Sequence, residues 1–238
     1  MTKQAQRLSP KLPKVPGIPV SRPTRRQRFS ASTKRALIDA AEELFTEHGY
    51  AGTSLDAIVA GADVTKGALY HHFSGKQAIF EAAFERVEAR ASKAISTASD
   101  GHKDPWQKAQ AGLRAFLDAV QEPGYRRIVI VDGPSVLGHE RFREQEERST
   151  YAIVVEIVRS VLNAGTWDLD EEMLDTFTRI FFGALSAAGG AVATSEDGAA
   201  AAARVETAIG FILAGLQSLV EQGVELPDPT SEADPTSE

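Results

Sequence analysis

The 238-residue chain contains no cysteine. Disulfides and thiolate metal sites are therefore excluded, and the composition fits a reducing compartment such as the cytoplasm. Long apolar runs are also missing from the reading: no stretch approaches the ~20 residues that cross a bilayer, so no membrane partner is expected. Proline and charge interrupt the basic N-terminus before the apolar core of a signal peptide can form. Histidine is sparse. His48, His71, His72, His102 and His139 form no H-x-x-x-H pair, and no metal site is expected. Asp168, Asp170 and Glu172 alternate, but Met173 stands where a calcium loop needs glycine, so they read as caps for the next helix. Gly133-Pro134-Ser135-Val136-Leu137-Gly138 approaches a nucleophile elbow, yet Leu137 occupies the place of its second glycine. There is no P-loop and no G-x-G-x-x-G after a strand. No catalytic residue and no cofactor are expected, and the chain reads as a non-enzyme.

The net charge of −7 hides an asymmetry. Residues 1–35 hold ten Lys or Arg and no acid, residues 1–90 carry a net +5, and residues 91–238 a net −12. An acidic protein can bind DNA when its positive charge is gathered where the phosphates sit. The acidic remainder reads as a solubilising surface.

Residues 53–76, TSLDAIVAGADVTKGALYHHFSGK, carry the strongest pattern. Thr53 with Asp56 three positions later has the form of a capping box. Leu55, Ile58, Val59 and Ala62 recur at helical spacing. Gly61-Ala62-Asp63-Val64 reads as a tight turn, and Thr65 as the cap of a second, short helix. There Leu69 and Phe73, four apart, turn inward together, which leaves Thr65, Lys66, Gly67, Tyr70 and His71 facing outward. Gly67 has no side chain and allows close backbone approach. A third helix begins at about Lys76. Upstream, Ala36, Leu37, Ala40, Ala41, Leu44, Phe45 and His48 form the stripe of another helix, which Gly49 ends as a left-handed cap. A bracing helix, a tight turn and a polar second helix make a helix-turn-helix, whose second helix enters the major groove of DNA.

This segment resembles the tetracycline-repressor (TetR) family of bacterial transcription regulators. The matching residues are Thr53, Leu55, Ile58, Ala62, Val64, Thr65, Lys66, Gly67, Leu69, Tyr70, His72, Phe73 and Lys76, with ALIDAAEELF at 36–45 and His48-Gly49-Tyr50 upstream. Asp63 departs from the pattern, where Gly is usual; Asp tolerates a left-handed backbone better than most residues. The resemblance implies a homodimer on an inverted-repeat operator in double-stranded DNA, acting as a repressor and released by a small apolar or amphipathic effector. It also implies that the last two helices form a four-helix subunit interface and that effector binding moves the helix starting at Lys76. The expected DNA contacts are Thr53 and Lys76 on phosphates, Lys66 and Tyr70 in the groove, and His71 on the backbone, with Thr65 and Gly67 beside them.

The expected fold class is all-α: a helix-turn-helix domain over 31–76 and a larger helical effector-binding and dimerisation domain over 77–222. Residues 1–30 read as a basic, Pro-rich, disordered arm, since five prolines in residues 10–23 forbid a regular helix. Arg25, Arg26 and Arg28, just before the first helix, are expected to reach phosphates or the minor groove. Helices are expected over 76–99, from Asp104-Pro105 to about Glu122, within 125–137 with a break at Gly133-Pro134, and over about 138–163, 170–194 and 198–222. The last two are rich in small residues, and Leu185 and Leu216 are expected in the subunit interface. Residues 223–238 repeat DPTSE and read as a disordered acidic tail. Trp106, Phe116, Tyr125, Phe142, Tyr151, Trp167, Phe177 and Phe181 lie across the middle helices. With Arg126, Arg127, His139 and Arg141 they are candidates to line a cavity for the effector. Two other readings stay open: an enzyme with an appended DNA-binding module, and a DNA-binding protein that answers to no ligand.

Overall fold

The computed structural model describes residues 25–224 apart from Thr166 and Asp168. Among the described residues there are ten α-helices, two π-helical segments and no strand. The chain is all-α, as its periodicity indicates. Residues 1–24 of the expected basic arm and the expected acidic tail beyond residue 224 lie outside the described residues.

Helix α1 spans Arg25–Gly52. It begins inside the expected arm, so Arg25, Arg26 and Arg28 stand on the first turns of a helix and not in an extended segment. The last of the clustered prolines is Pro23, and RRQRFS after it contains nothing that breaks a helix. Leu37, Ala40, Ala41 and Phe45 are buried. His48, expected on the same stripe, is exposed. Gly49 (φ 69°, ψ 175°) kinks the helix before one more turn ends at Gly52.

Helices α2 (Leu55–Gly61) and α3 (Lys66–His72) follow. Ser54, not Thr53, caps α2 by accepting from the Ala57 N–H. Thr65 caps α3 by accepting from Ala68 N–H. Between them Asp63 takes φ 52°, the left-handed conformation that its short side chain tolerates.

Helix α4 (Lys76–Asp100) buries Ile79, Phe80, Ala83, Phe84 and Val87 on one face. Phe80 packs edge-on against Phe45 and Tyr50 at 5.2 Å each. The hydrophobic core therefore runs without a break from the first three helices into the larger domain. Arg86 reinforces the same joint: it ion-pairs with Asp39 and Glu42 of α1 and donates to the Ile38 carbonyl at 3.1 Å.

Helix α5 (Pro105–Gln121) starts as expected, with Asp104 as its cap and Pro105 in its first turn. Residues 125–137 are helical despite their β-branched content, but the first part is a π-helix, Tyr125–Asp132, followed by α6 (Gly133–Leu137). The long helix expected to about residue 163 is a chain of three: α7 (His139–Glu146), a π-segment Glu147–Tyr151, and α8 (Ala152–Leu162). Helices α9 (Glu171–Thr194) and α10 (Gly198–Glu221) complete the fold, capped by Asp170 and Asp197.

These last two helices correct one expectation. Each is 24 residues long and apolar enough, by length and composition, to cross a membrane, and each is largely unburied. Ile180, Phe211, Ile212 and Leu219 lie exposed on them, with Phe211 81% exposed. Leu185 and Leu216 are half-buried and pack partly on the chain's own core.

Candidate nucleic-acid interface and effector cavity

Helix α3 is anchored from below. Leu69 and Phe73 are buried and pack with Leu37, Phe45 and Ile58. The opposite side is open: Thr65, Lys66, Gly67, Tyr70 and His71 are all exposed, Tyr70 by 60%. A Cβ built on Gly67 would meet only Thr65 Oγ1, at 3.9 Å, so no internal packing demands glycine there. Lys66 Nζ lies 2.7 Å from Asp56 Oδ1. The hydrogen bond to Asp56 raises its pKa and keeps it cationic. His72 is half-buried; burial lowers its pKa, and the nearby His71 and Lys34 lower it further. Its neutral ring packs edge-on with His71 at 5.1 Å.

The flanks differ from the sequence reading in one respect. Thr53 is buried, at 3% exposure, and its hydroxyl donates inward to the Gly49 carbonyl at 2.8 Å and the Leu44 carbonyl at 3.0 Å. Its side chain holds the end of α1 and is not offered to phosphate; the exposed hydroxyl at the start of α2 belongs to Ser54. Lys76 opens α4 with its ammonium 4.4 Å from the centre of the Tyr50 ring. Arg25 and Arg28 are exposed, and the Arg25 guanidinium lies 5.6 Å over the Phe29 ring. The Arg26 side chain lies outside the described residues.

The larger domain contains a partly open cavity of about 500 Å³, with the exposed Ile180 and Ile212 in its lining. Of the expected lining, Phe116, Tyr125, Phe142 and Phe181 are in its wall. The rest fall elsewhere. Trp106 packs with Val161 and Leu213, and Phe177 with Val154, Val158 and Leu162. Trp167 donates from Nε1 to the Val224 carbonyl at 2.6 Å. Tyr151 donates to Asp175 Oδ1 at 3.0 Å, and Arg179 and Tyr151 together hold that carboxyl below its usual range. Arg126, His139 and Arg141 are exposed. Aromatic residues on helices face several layers, and their number alone does not say which layer is hollow.

The residue missed is Glu88. It is 4% exposed, lines the cavity, and is the only charged side chain in its wall among the described residues. Burial pushes its carboxyl above the ordinary 4.5, while hydroxyls of Ser149, Tyr125 and Thr150 act the other way. The signal was available: Glu88 interrupts a stripe made by Phe84, Ala91 and Ile95, all buried.

Two elements join the cavity to the helix-turn-helix. Helix α4 starts four residues beyond α3 and carries Glu88 and Ile95 in the cavity wall. The first π-segment carries Tyr125 into the cavity and Asp132 to the end of α1, where Oδ2 accepts from Tyr50 N–H at 2.8 Å and pairs with Arg127 Nε at 3.2 Å.

A buried-anchor helix-turn-helix with an open polar face, fused through one core to a hollow helical domain, defines a class: one-chain transcription regulators with a helix-turn-helix and a second, helical domain. The comparisons agree. Residues 37–83 match the family model "Bacterial regulatory proteins, tetR family", and residues 106–216 match "Tetracyclin repressor-like, C-terminal domain". The uncharacterized HTH-type transcriptional regulator TtgW of Pseudomonas putida is 33% identical over 121 residues, 49% of this chain and 87% of that protein. The transposon Tn10 TetC protein of Escherichia coli is 31% identical over 107 residues, 45% of this chain. The crystal structure of a TetR-family regulator from Pectobacterium atrosepticum superposes with a TM-score of 0.69 at 29% identity, covering 82% of this chain and 97% of that one. The chain belongs to the TetR family of transcriptional regulators. Its matches span about half the length of some curated relatives, 54% of TetC and 55% of the Pseudomonas putida regulator SrpR.

Proposed function

We propose that the protein is a homodimeric repressor that binds an inverted-repeat operator and leaves it when a small apolar or amphipathic molecule enters the cavity. The observation that carries this reading is the shared helix: α4 begins at the foot of the reading helix and ends in the wall of a cavity of about 500 Å³. A ligand that moves α4 moves α3 with it. Lys66, Gly67, Tyr70 and His71 are the proposed DNA-facing residues, with Thr65, Lys76, Arg25 and Arg28 toward the flanking phosphates. The exposed apolar residues of α9 and α10 support a second copy as the partner of that face, because exposed patches of this kind mark association surfaces. Charged residues within both helices, such as Arg179 and Glu206, speak against lipid. The proposed place of action is the cytoplasm, where the DNA is.

The cavity speaks against a regulator that answers to no ligand. Selection of bound fragments from random duplex DNA tests the proposal. Enriched inverted repeats with half-sites about 10 base pairs apart are expected. Uniform, weak binding to all fragments would overturn it.

A further inference from the structure

We infer that the cavity takes an apolar ligand bearing one cationic amine, and that Glu88 is the group that holds it; this rests on the effector reading above. Apart from the hydroxyls of Tyr125, Thr150 and Ser186, the rest of the described wall is hydrocarbon and aromatic, with Phe116, Phe142, Ile157 and Phe181 facing the space. Its size falls in the range of drug-sized ligands. Into this apolar enclosure one carboxyl is built, and it is built with support. Tyr125 Oη donates to Glu88 Oε1 at 3.0 Å, Ser149 Oγ donates to Oε2, and Thr150 Oγ1 donates to the same oxygen at 3.5 Å.

The donors come from irregular backbone. Tyr125 opens the first π-segment, and Ser149 and Thr150 lie in the second. Such wide turns are uncommon and gather at functional sites. Here both bring hydroxyls onto one acid.

The support is incomplete in two ways. A carboxylate offers about four acceptor positions, and three hydroxyls leave one open. The hydroxyls also supply hydrogen bonds but no positive charge. Among the described residues, burial and these three hydroxyls act on the Glu88 carboxyl, with no basic side chain beside them. A buried carboxylate without a counter-charge is costly. An ammonium entering with its apolar body against the wall supplies both the fourth hydrogen bond and the charge, and hydrogen bonds between ionised groups are the strong ones. A carboxylate ligand would meet like charge in a low-dielectric space.

Calorimetric titration of the full chain at neutral pH with decylamine, decanol and decanoate tests this. The three share a tail and differ in the charge of one end. Decylamine is expected to bind tightest, at least about tenfold above decanol, with decanoate weakest. Glu88→Gln should bring amine and alcohol to within roughly twofold of each other, as one charge-assisted bond is lost. If decanol or decanoate binds as well as decylamine to the unmutated chain, the assignment of a cation falls while the effector cavity stands. An unchanged preference in a folded Glu88→Gln variant overturns the role of Glu88. If none of the three binds, the effector reading falls and this inference with it. The order of the three on the unmutated chain is informative even if the variant does not fold.

Discussion

The guanidinium of Arg127 lies against the α-carbon of Gly49: a Cβ built on Gly49 would stand 1.8 Å from Arg127 Nη2. Arg127 belongs to the π-segment beside the cavity, and Gly49 to the kink that ends the first helix of the DNA module. The two modules therefore meet at a position where a side chain has neither room nor a permitted backbone. Gly49 at φ 69°, ψ 175° occupies a region that is essentially glycine's alone. Gly49→Ala is expected to cost about 1–3 kcal/mol in urea unfolding. Arg127→Ala should recover only part of that cost, because it returns the space and not the backbone freedom. Full recovery in the double variant would place the whole penalty in the clash.

Asp132 is the second tie across this joint. Its Oδ2 accepts from Tyr50 N–H and pairs with Arg127. Asp132→Ala leaves the N–H and the guanidinium without this acceptor, and the joint loosens. Ligand binding to the cavity should change little, since Asp132 is absent from its wall. The ligand's effect on operator affinity should shrink by severalfold. Titrating operator DNA with and without ligand checks both halves, and an undiminished ligand effect would show that α4 alone carries the signal.

Glu88 makes stability depend on pH in a definite direction. Burial raises its carboxyl above 4.5, so the folded chain holds this proton more tightly than the unfolded chain. The stabilisation is present in full at pH below the ordinary value and is lost as pH rises through the folded value. Among the described residues three hydroxyls and no charged side chain act on it, and burial outweighs them. Glu88→Gln stays neutral throughout. Without ligand it should gain on the unmutated chain in urea midpoint as pH rises above the ordinary carboxylate value. A gap that does not change with pH would mean that Glu88 titrates normally.

The exposed face of α9 and α10 predicts a dimer whose core includes Phe211. Phe211→Arg should shift sedimentation of the purified chain from dimer to monomer, because a charge buried at such an interface costs several kcal/mol. Leu185→Arg is expected to behave differently: Leu185 is half-buried against the chain's own core, and its variant should lower thermal stability first. A monomeric unmutated chain at micromolar concentration would remove the interface altogether.

Local chemistry was legible wherever a residue's own conformation decides structure. Asp63 was readable as left-handed, and it is. Asp104-Pro105 was readable as a helix start, and it is. What escaped the sequence depends on which of two equivalent groups the tertiary fold selects. Thr53 and Ser54 are adjacent hydroxyl residues and either could cap α2. The carbonyls of Gly49 and Leu44 draw Thr53 inward and leave the cap to Ser54. Helices α9 and α10 carry apolar residues on more than one side, so periodicity could not tell Leu185 from Ile180. Glu88 is a charged residue whose place in the apolar stripe of Phe84, Ala91 and Ile95 marks it as buried, but the cavity it faces is formed only by the tertiary fold.

The reading helix gives the sharpest test. Lys66 and Tyr70 are one turn apart on the face opposite Leu69 and Phe73, and both are exposed. Without DNA, Lys66 is held by Asp56 at 2.7 Å, a bond that contact with a base must replace. Lys66→Ala should leave thermal unfolding unchanged, since an exposed ion pair contributes little. It should weaken operator binding by about 1–3 kcal/mol and relax preference at one symmetric pair of positions. Asp56→Ala should do the opposite: the freed ammonium should strengthen binding to operator and random DNA alike. Tyr70→Phe keeps the ring and removes the hydroxyl, so its loss should be smaller, roughly 1 kcal/mol. Binding of each variant to operator and to random duplexes, at two salt concentrations, separates the roles. Equal weakening on both DNAs with a shallower salt slope would make Lys66 a phosphate contact. Full-strength, fully specific binding by the Lys66→Ala, Tyr70→Phe double variant would mean that another element reads the operator.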